Sequence, residues 1–242
     1  MNRQVVKSII KQSLRVDGLR HYLTYARFLY FTKVRHKLRS LDESPGVAEK
    51  TIAHNVRMLK SGSDIGISRS RFLVWPLSLI ETMGPQSKVL VIGPRSEGEL
   101  FHLVGFGFRP ENIEGLDLTT YSPWIKLGDM HSLQYGDSEW DAVILGWVLA
   151  YSSSREKAAA EVIRVTNNGG IVAVGVEYNP MTNEEVIAYQ GYLSGATKRI
   201  ESVAQILSLF GDHVDRVYFS HDVHPERRHL VGAIAVVFSI KK

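Results

Sequence analysis

The chain has 242 residues, 44% of them hydrophobic and 22% charged, which is enough to bury one sizeable core of a globular protein. It contains no cysteine, which excludes disulfides, thiolate metal sites and cysteine nucleophiles. No apolar run approaches the roughly 20 residues of a membrane-spanning helix, and the basic amino terminus lacks the apolar region of a signal peptide, so a cytoplasmic protein is expected.

The net charge of +4 is unevenly distributed along the chain. Residues 1–40 contain ten lysines and arginines but a single acid, Asp17. Apolar and aromatic residues alternate with these cations at helical spacing, and Gly18 is the expected break between two helices. Such a segment either packs its aromatic stripe on the main domain or lies on an anionic membrane, where it would suit an acidic or lipid-linked substrate. Nucleic acid is the least favoured partner.

Beyond this segment the predicted elements follow in a regular order. Helices are expected over 47–59 and 71–83, the second ending at Gly84 and Pro85. Further helices are expected over 155–166, after the capping box of Thr182 and Glu185, and over 199–210. Strands are expected at 88–92, 113–117, 141–146, 171–177, 214–220 and 231–239, with a weak one near Ile125. We divide the chain into a helical, basic lid or docking segment (1–70) and a cofactor-binding domain (71–242).

The last two strands differ from the earlier ones. They are joined by the short polar loop 221–229, which has no room for a crossover helix, so they must pair antiparallel. Ordinary nicotinamide-binding domains end in a parallel strand instead. The expected fold is therefore α/β, a Rossmann-like doubly wound sheet, mostly parallel, with a C-terminal antiparallel hairpin and preceding N-terminal helices.

The stretch 88–178 carries the chemistry. An apolar strand stops at Gly93, a turn leads into a helix, and a second strand ends in Asp117, 24 residues beyond Gly93. Open parallel sheets use such a unit to hold an adenosine-containing cofactor: the loop passes close to the ligand, and the acid accepts hydrogen bonds from the ribose hydroxyls.

With these motifs the chain resembles the class I S-adenosylmethionine-dependent methyltransferases, most closely their small-molecule group, over 88–178 by motif and to 240 by strand order. Gly93 stands in the family's glycine-rich motif, Asp117 matches the ribose-binding acid, and Asp129 stands where the family contacts the adenine amine. The resemblance implies a seven-stranded methyltransferase-type sheet and S-adenosylmethionine as the cofactor. The cofactor-binding residues that it implies are Gly93, Pro94, Arg95, Ser96, Glu97, Asp117, Leu118, Asp129, Met130, Gly146 and Trp147.

The glycine-rich loop departs from the family pattern. Three small residues usually alternate there, but the second and third positions are Arg95 and Glu97. In one interpretation Arg95 pairs with the cofactor carboxylate or Glu97 with its ammonium, so side chains replace backbone contacts. In the other the loop fills the pocket, and the chain is a non-catalytic binding or scaffold protein.

Methyl transfer is an in-line displacement, in which the protein aligns the nucleophile and supplies a base where a hydroxyl must be deprotonated. Groups at the carboxyl ends of the strands face the site. Tyr151 and Glu177 are therefore the catalytic candidates, while Trp147 either flanks the cofactor or packs in the core. His131 is expected to be a loop histidine rather than a base.

Other sites and activities are disfavoured. The cluster of His221, Asp222, His224 and His229 is expected to be a solvated loop, so no metal is predicted. The Asn/Asp-Pro-Pro-aromatic run of nucleic-acid amine methyltransferases is missing after the fourth strand, and the chain has no Tyr-x-x-x-Lys pair of a nicotinamide oxidoreductase. We expect a methyltransferase of a small-molecule or lipid-linked acceptor, a sugar among the candidates. It would be cytoplasmic or peripheral to the inner membrane face, and a homo-oligomer stays open.

Overall fold

The structure is a computed structural model that describes residues 9, 11–42, 44, 47, 51–61, 71–191, 193 and 196–242. Its first long helix, α1, spans Asp17–Leu29 and continues as a wider π-helical turn, Tyr30–Val34. The chain turns at 14–16, just before this helix, because the backbone amides there donate hydrogen bonds to carbonyls three residues back. The Arg20 guanidinium also donates a hydrogen bond to the Leu14 carbonyl. Gly18 lies inside the first turn of α1, so the prediction of a break at Gly18 is wrong by a few residues.

Two further helices precede the sheet. α2 spans Thr51–Ser61 and α3 spans Arg71–Ser78. The described part of the predicted helix 47–59 begins at Thr51, and Val47 forms an isolated bridge with Ser152 instead. α3 ends earlier than Met83 because the amides after Ser78 bond to carbonyls three residues back, which tightens the chain into turns.

The main sheet confirms the predicted strands and their order. Its strands are β2 (Val89–Ile92), β3 (Ile113–Asp117), β5 (Ile125–Leu127), β6 (Trp140–Gly146), β7 (Thr166–Tyr178), β8 (Val214–His221) and β9 (Gly232–Ile240). They are arranged in the order β5-β3-β2-β6-β7-β9-β8, and only β9 runs antiparallel to its neighbours. The seven-stranded mixed sheet with a C-terminal antiparallel pair is thus present as expected. A small second sheet pairs β1 (Arg39–Ser40) with β4 (Thr119–Thr120).

Helices cover both faces of this sheet and close two apolar cores. On one face α5 (Arg155–Val165) and α7 (Val203–Phe210) pack, and on the other face α3 and α4 (Glu97–Gly105) pack. α6 (Asn183–Gln190) opens with the predicted capping box of Thr182 and Glu185. The strands β2 and β6 are buried along their whole length or nearly so, which explains their continuous apolar sequence.

The N-terminal helix is joined to this domain through polar and aromatic contacts. Arg15 Nε donates to the Gly105 carbonyl at the end of α4 over 2.7 Å. The rings of Phe28 and Tyr121 meet edge-on, 5.1 Å between centroids. Arg27 forms an ion pair with Glu97 at the start of α4. α1 is thereby placed beside the loop that follows β2.

Candidate functional site

A pocket lies at the carboxyl ends of β2, β3 and β6, where an open parallel sheet binds its ligands. All of the predicted cofactor-binding residues except Glu97 line it, and so does Tyr151. The N-terminal segment adds part of the wall. The lining residues are Val47, Thr51, Asn55, Ile92, Gly93, Pro94, Arg95, Ser96, Glu99, Leu116, Asp117, Leu118, Gly128, Asp129, Met130, Gly146, Trp147, Val148 and Tyr151.

Gly93 ends β2 at a point where the backbone has no room for a side chain. Its φ is +71°, in the left-handed region that favours glycine. A Cβ at this position would lie 1.9 Å from Cγ1 of Val148, in the loop after β6. Glycine is therefore required here by the close packing of Val148 on the backbone of Gly93, and both residues line the pocket.

Arg95 occupies the second position of the loop and still adopts a left-handed backbone conformation. Its φ is +50°, again in the left-handed region, so the chain keeps here a conformation that glycine adopts without strain. Its amide donates to Oδ2 of Asp117 over 3.0 Å, and its guanidinium reaches Oδ1 of Asn55 at 3.5 Å. The cationic side chain is thus part of the pocket wall.

Asp117 ends β3 with a buried carboxylate, 6% exposed. Oδ1 accepts from the Thr119 amide over 3.1 Å, and Oδ2 accepts from the Arg95 amide. Burial raises the pKa of Asp117, against the lowering effect of these hydrogen bonds. Oδ1 also accepts from the Thr119 hydroxyl over 3.4 Å, so the remaining acceptor capacity for a ligand hydroxyl lies on Oδ2, which takes one donor.

Asp129 lines the pocket and belongs to a hydrogen-bonded chain with Ser44, His131 and Ser152. Its Oδ2 accepts from the Ser44 hydroxyl over 2.5 Å, and its Oδ1 lies 2.6 Å from Nδ1 of His131. Because a carboxylate only accepts, Nδ1 donates to it, and Nε2 forms a hydrogen bond of 2.7 Å with Ser152 Oγ. Burial raises the pKa of Asp129, but the hydrogen bonds from His131 and Ser44 outweigh it and bring the pKa to about 2. The buried His131 positions Asp129.

Glu97 is turned away from the pocket. Its side chain is fully buried, and its carboxylate binds the Arg27 guanidinium at both oxygens and the Ser122 hydroxyl at one. Its amide donates to the Tyr121 hydroxyl over 3.2 Å. The hydrogen bond with Glu97 raises the pKa of Arg27, as expected for a cation held by a buried carboxylate. The structure therefore does not bring the Glu97 carboxylate to the candidate site.

The remaining predicted residues divide between the pocket and the surface. Tyr151 lies in the short turn after β6, and its ring stacks on His54 of α2 at 6.4 Å. Trp147 lines the pocket but packs its ring against Gly175, where a Cβ would lie 2.8 Å from it. Glu177 is exposed on β7 between two buried residues, because side chains alternate along a strand. The structure does not bring Glu177 to the pocket.

Sequence reasoning missed the residues that the N-terminal segment contributes. Thr51 and Asn55 come from α2, and Val47 comes from the bridge with Ser152. No local signal marked them, because their place depends on how α2 packs on the domain. Glu99 was also missed, although its position in the first turn of α4 follows directly from the loop.

Within the described ranges, His, Asp and Glu form no group of three or more that could hold a metal ion. None of the helices in those ranges combines the length and hydropathy of a membrane span.

The pocket residues fit S-adenosylmethionine in kind. Asp117 and Asp129 offer carboxylate acceptors of the kind that suit ribose hydroxyls and the adenine amine. Arg95 adds a cation to the pocket wall, of the kind that suits the methionine carboxylate.

The comparisons with known proteins agree with this geometry. A methyltransferase-domain family model matches residues 99–174. A chain of the Haloferax volcanii Trm112 methyltransferase-activator complex is 17% identical with a TM-score of 0.59, covering 81% of this chain and 98% of that one. Geranyl diphosphate methyltransferase, solved with GPP and sinefungin, is 11% identical with a TM-score of 0.53, covering 87% and 93%. The MccD protein is 12% identical with a TM-score of 0.52, covering 66% and 92%.

No curated protein matches this chain significantly. At such low identities the solved structures show a shared fold, and the family model adds the methyltransferase domain within it. The sheet order, the pocket at its carboxyl edge and these matches lead to one assignment. Residues 99–174 match a methyltransferase domain, which uses S-adenosylmethionine, and most of the chain shares its fold with solved methyltransferase structures.

Proposed function

We propose that this enzyme transfers the methyl group of S-adenosylmethionine to a small-molecule or lipid-linked acceptor, a sugar among the candidates. The observation that carries the proposal is the direction of Glu97. Its carboxylate points away from the pocket to Arg27, so the replacement of the third small residue leaves the cofactor side of the loop open. The interpretation of the chain as a scaffold depended on a filled loop, and this geometry removes its main support.

The chain's own residues would bind and orient rather than react. Asp117 would hold the ribose, Asp129 the adenine amine and Arg95 the carboxylate of the bound cofactor. The cofactor supplies an electrophilic methyl group when bound. Methyl transfer then requires a nucleophile of the acceptor that lies in line with that methyl group and is shielded from water.

The acceptor side of the proposed site is formed by Tyr151 and α2. The Tyr151 ring stacks on His54, and Thr51 and Asn55 line the same wall. We propose Tyr151 as the residue that orients the acceptor through its hydroxyl. Glu177, exposed on β7 away from the pocket, is not part of this proposal.

The lipid-linked form of the proposal places the chain in the cytoplasm, peripheral to the inner face of a membrane. The support is the basic composition of residues 1–40 together with the contacts of Arg15 and Arg27 with the domain. In this form residues 1–40 touch an anionic membrane, and the acceptor reaches the pocket from that side.

Calorimetric titration with S-adenosylmethionine and with its demethylated product tests the cofactor part of the proposal. Wild type should bind both, and Asp117→Ala should weaken binding by at least about tenfold, the value of one or two hydrogen bonds to a charged group. Asp137→Ala is the matched control, since Asp137 is an exposed acid that pairs with Arg164 instead. Absence of binding to wild type would overturn the proposal and restore the scaffold interpretation.

A further inference from the structure

The outer face of α1 is apolar although the helix lies at the surface. Arg20 and Thr24 are buried against the domain, at 1% and 0% exposure, while Tyr22 is 73% exposed. The exposed residues recur at helical spacing and form one stripe. They are Val16, Leu19, Tyr22, Leu23, Tyr25, Leu29, Tyr30 and Val34, which we call the outer stripe.

The charged residues of α1 lie off this stripe. Asp17 sits at the first residue of α1 and pairs with Arg20, and Arg27 pairs with Glu97. The ion pair of Arg27 and the edge-on contact of Phe28 with Tyr121 therefore hold the inner face on the domain, and the outer stripe is left to solvent. This is the reverse of an ordinary surface helix, which buries its apolar stripe.

A cluster of cations follows the outer stripe directly. Lys33, Arg35, Lys37 and Arg39 are all exposed. Within the described part of the chain these four side chains form no ion pair. Their charge is thus available to a partner that is anionic as well as apolar.

We infer that the outer stripe and this cation cluster dock on the surface of an anionic lipid bilayer. Tyrosine and leucine side chains partition into the boundary between headgroups and acyl chains, and nearby lysines and arginines bind the negative lipids. A protein partner would need a matching apolar groove with an acidic rim, whereas a bilayer offers both features over any area. The charge complementarity favours the bilayer.

The docked orientation would place the pocket next to the lipid surface. Arg27 of α1 holds Glu97, whose neighbours Ser96 and Glu99 line the pocket. The inference rests on the lipid-linked form of the proposed function. Its test therefore includes a separate measurement of cofactor binding.

Co-sedimentation of the full chain with vesicles tests the inference. We expect binding to vesicles of phosphatidylcholine mixed with phosphatidylglycerol, weaker binding to phosphatidylcholine alone, and a decline with salt. Leu19→Ser with Tyr22→Ser should weaken binding about tenfold or more, because two apolar anchors are lost. The matched control is Ile187→Ser with Tyr189→Ser on α6, two residues that are also exposed, at 45% and 83%.

A second pair of variants separates charge from hydrophobicity. Lys33→Glu with Lys37→Glu should weaken binding at low salt by roughly fivefold or more per residue. Arg227→Glu with Lys241→Glu, both exposed elsewhere, should change it much less. Cofactor titration on each variant should match wild type, so a failure of membrane binding is read independently of a failure of the enzyme.

Three results would overturn the inference. The first is no binding of wild type to either vesicle, and the second is an equal loss in the α6 control. The third is a dimer in solution that the Leu19 and Tyr22 variant dissociates, which would assign the outer stripe to a second copy of the chain.

Discussion

The guanidinium of Arg27 in α1 binds both carboxylate oxygens of Glu97, 70 residues further along the chain. Glu97 stands at the third position of the loop after β2, where the resemblance to class I methyltransferases predicts a small residue. In this chain the position holds the N-terminal helix on the domain instead. One substitution in the loop thus exchanges a backbone contact for a tertiary ion pair.

Removal of Arg27 should leave the buried Glu97 carboxylate without its cation. Arg27→Met should lower the free energy of unfolding by about 3 kcal/mol, at the low end of values for broken buried pairs, because Arg27 is itself 37% exposed. Urea denaturation at neutral pH measures the change. Arg35→Met is the control, an exposed arginine expected to change stability by less than about 0.5 kcal/mol. Equal effects of the two substitutions would contradict the role given to this pair.

A substitution at Arg95 can separate the effect of its backbone conformation from the effect of its side chain. Arg95→Gly keeps the left-handed conformation without strain and removes the guanidinium. We expect little change in stability and at least about tenfold weaker binding of the demethylated cofactor, since a charge-assisted hydrogen bond is lost. Binding of methylthioadenosine, which has no carboxylate, should be unchanged by the same substitution.

The matched control for Arg95→Gly is Ser138→Gly. Ser138 also has a positive φ, 52°, but lies outside the pocket. The Ser138→Gly substitution should relieve backbone strain in the same way and should leave the binding of the demethylated cofactor and of methylthioadenosine as in wild type. If Arg95→Gly weakened the two ligands equally, the carboxylate role of Arg95 would be wrong.

The hydrogen bonds on Asp129 predict a pH dependence of stability. Its folded pKa of about 2 lies below the ordinary value of 3.8, so the carboxylate stabilises the fold above about pH 4 and loses this effect as the pH falls toward 2. The shift corresponds to about 2 kcal/mol, of which about 1 kcal/mol is lost by about pH 3. The difference between wild type and Asp129→Asn in urea denaturation should narrow by that amount between about pH 6 and about pH 3.

Asp137→Asn serves as the comparison for this pH series. Asp137 is 78% exposed, so its replacement should give a small difference that stays nearly constant with pH. A gap between wild type and Asp129→Asn that did not narrow in acid would show that Asp129 is not held ionised by His131 and Ser44.

The close approach of Gly93 to Val148 predicts a coupled pair of substitutions. Gly93→Ala adds a Cβ that would clash with Val148 and strains a left-handed backbone, so it should cost about 2–4 kcal/mol of stability. Val148→Ala removes the clash but not the backbone strain. The double variant should therefore be more stable than the sum of the single effects by at least about 1 kcal/mol, measured by urea denaturation. If the stability changes of the two single variants simply added, the loop after β6 would be free to move away from the new Cβ.

Much of the architecture could be read from local patterns. Apolar runs between turn residues predicted each strand of the main sheet, and the short loop 221–229 left an antiparallel pair as the only connection. The carboxyl ends of parallel strands meet at one edge of a sheet. Residues after β2, β3 and β6 were therefore expected to line one pocket, and they do.

The direction of individual side chains was decided only in the folded chain. Glu97, Arg27 and Asn55 are far apart in sequence, and whether a carboxylate faces a cofactor or a distant arginine depends on how whole helices pack. The same holds for α1, whose periodicity was clear but whose exposed face was not: its polar contacts with the domain turned the apolar stripe outward. Local sequence determines which elements form, because spacing and turn chemistry act within a few residues. Tertiary structure decides what each face meets, because burial depends on contacts that no short pattern contains.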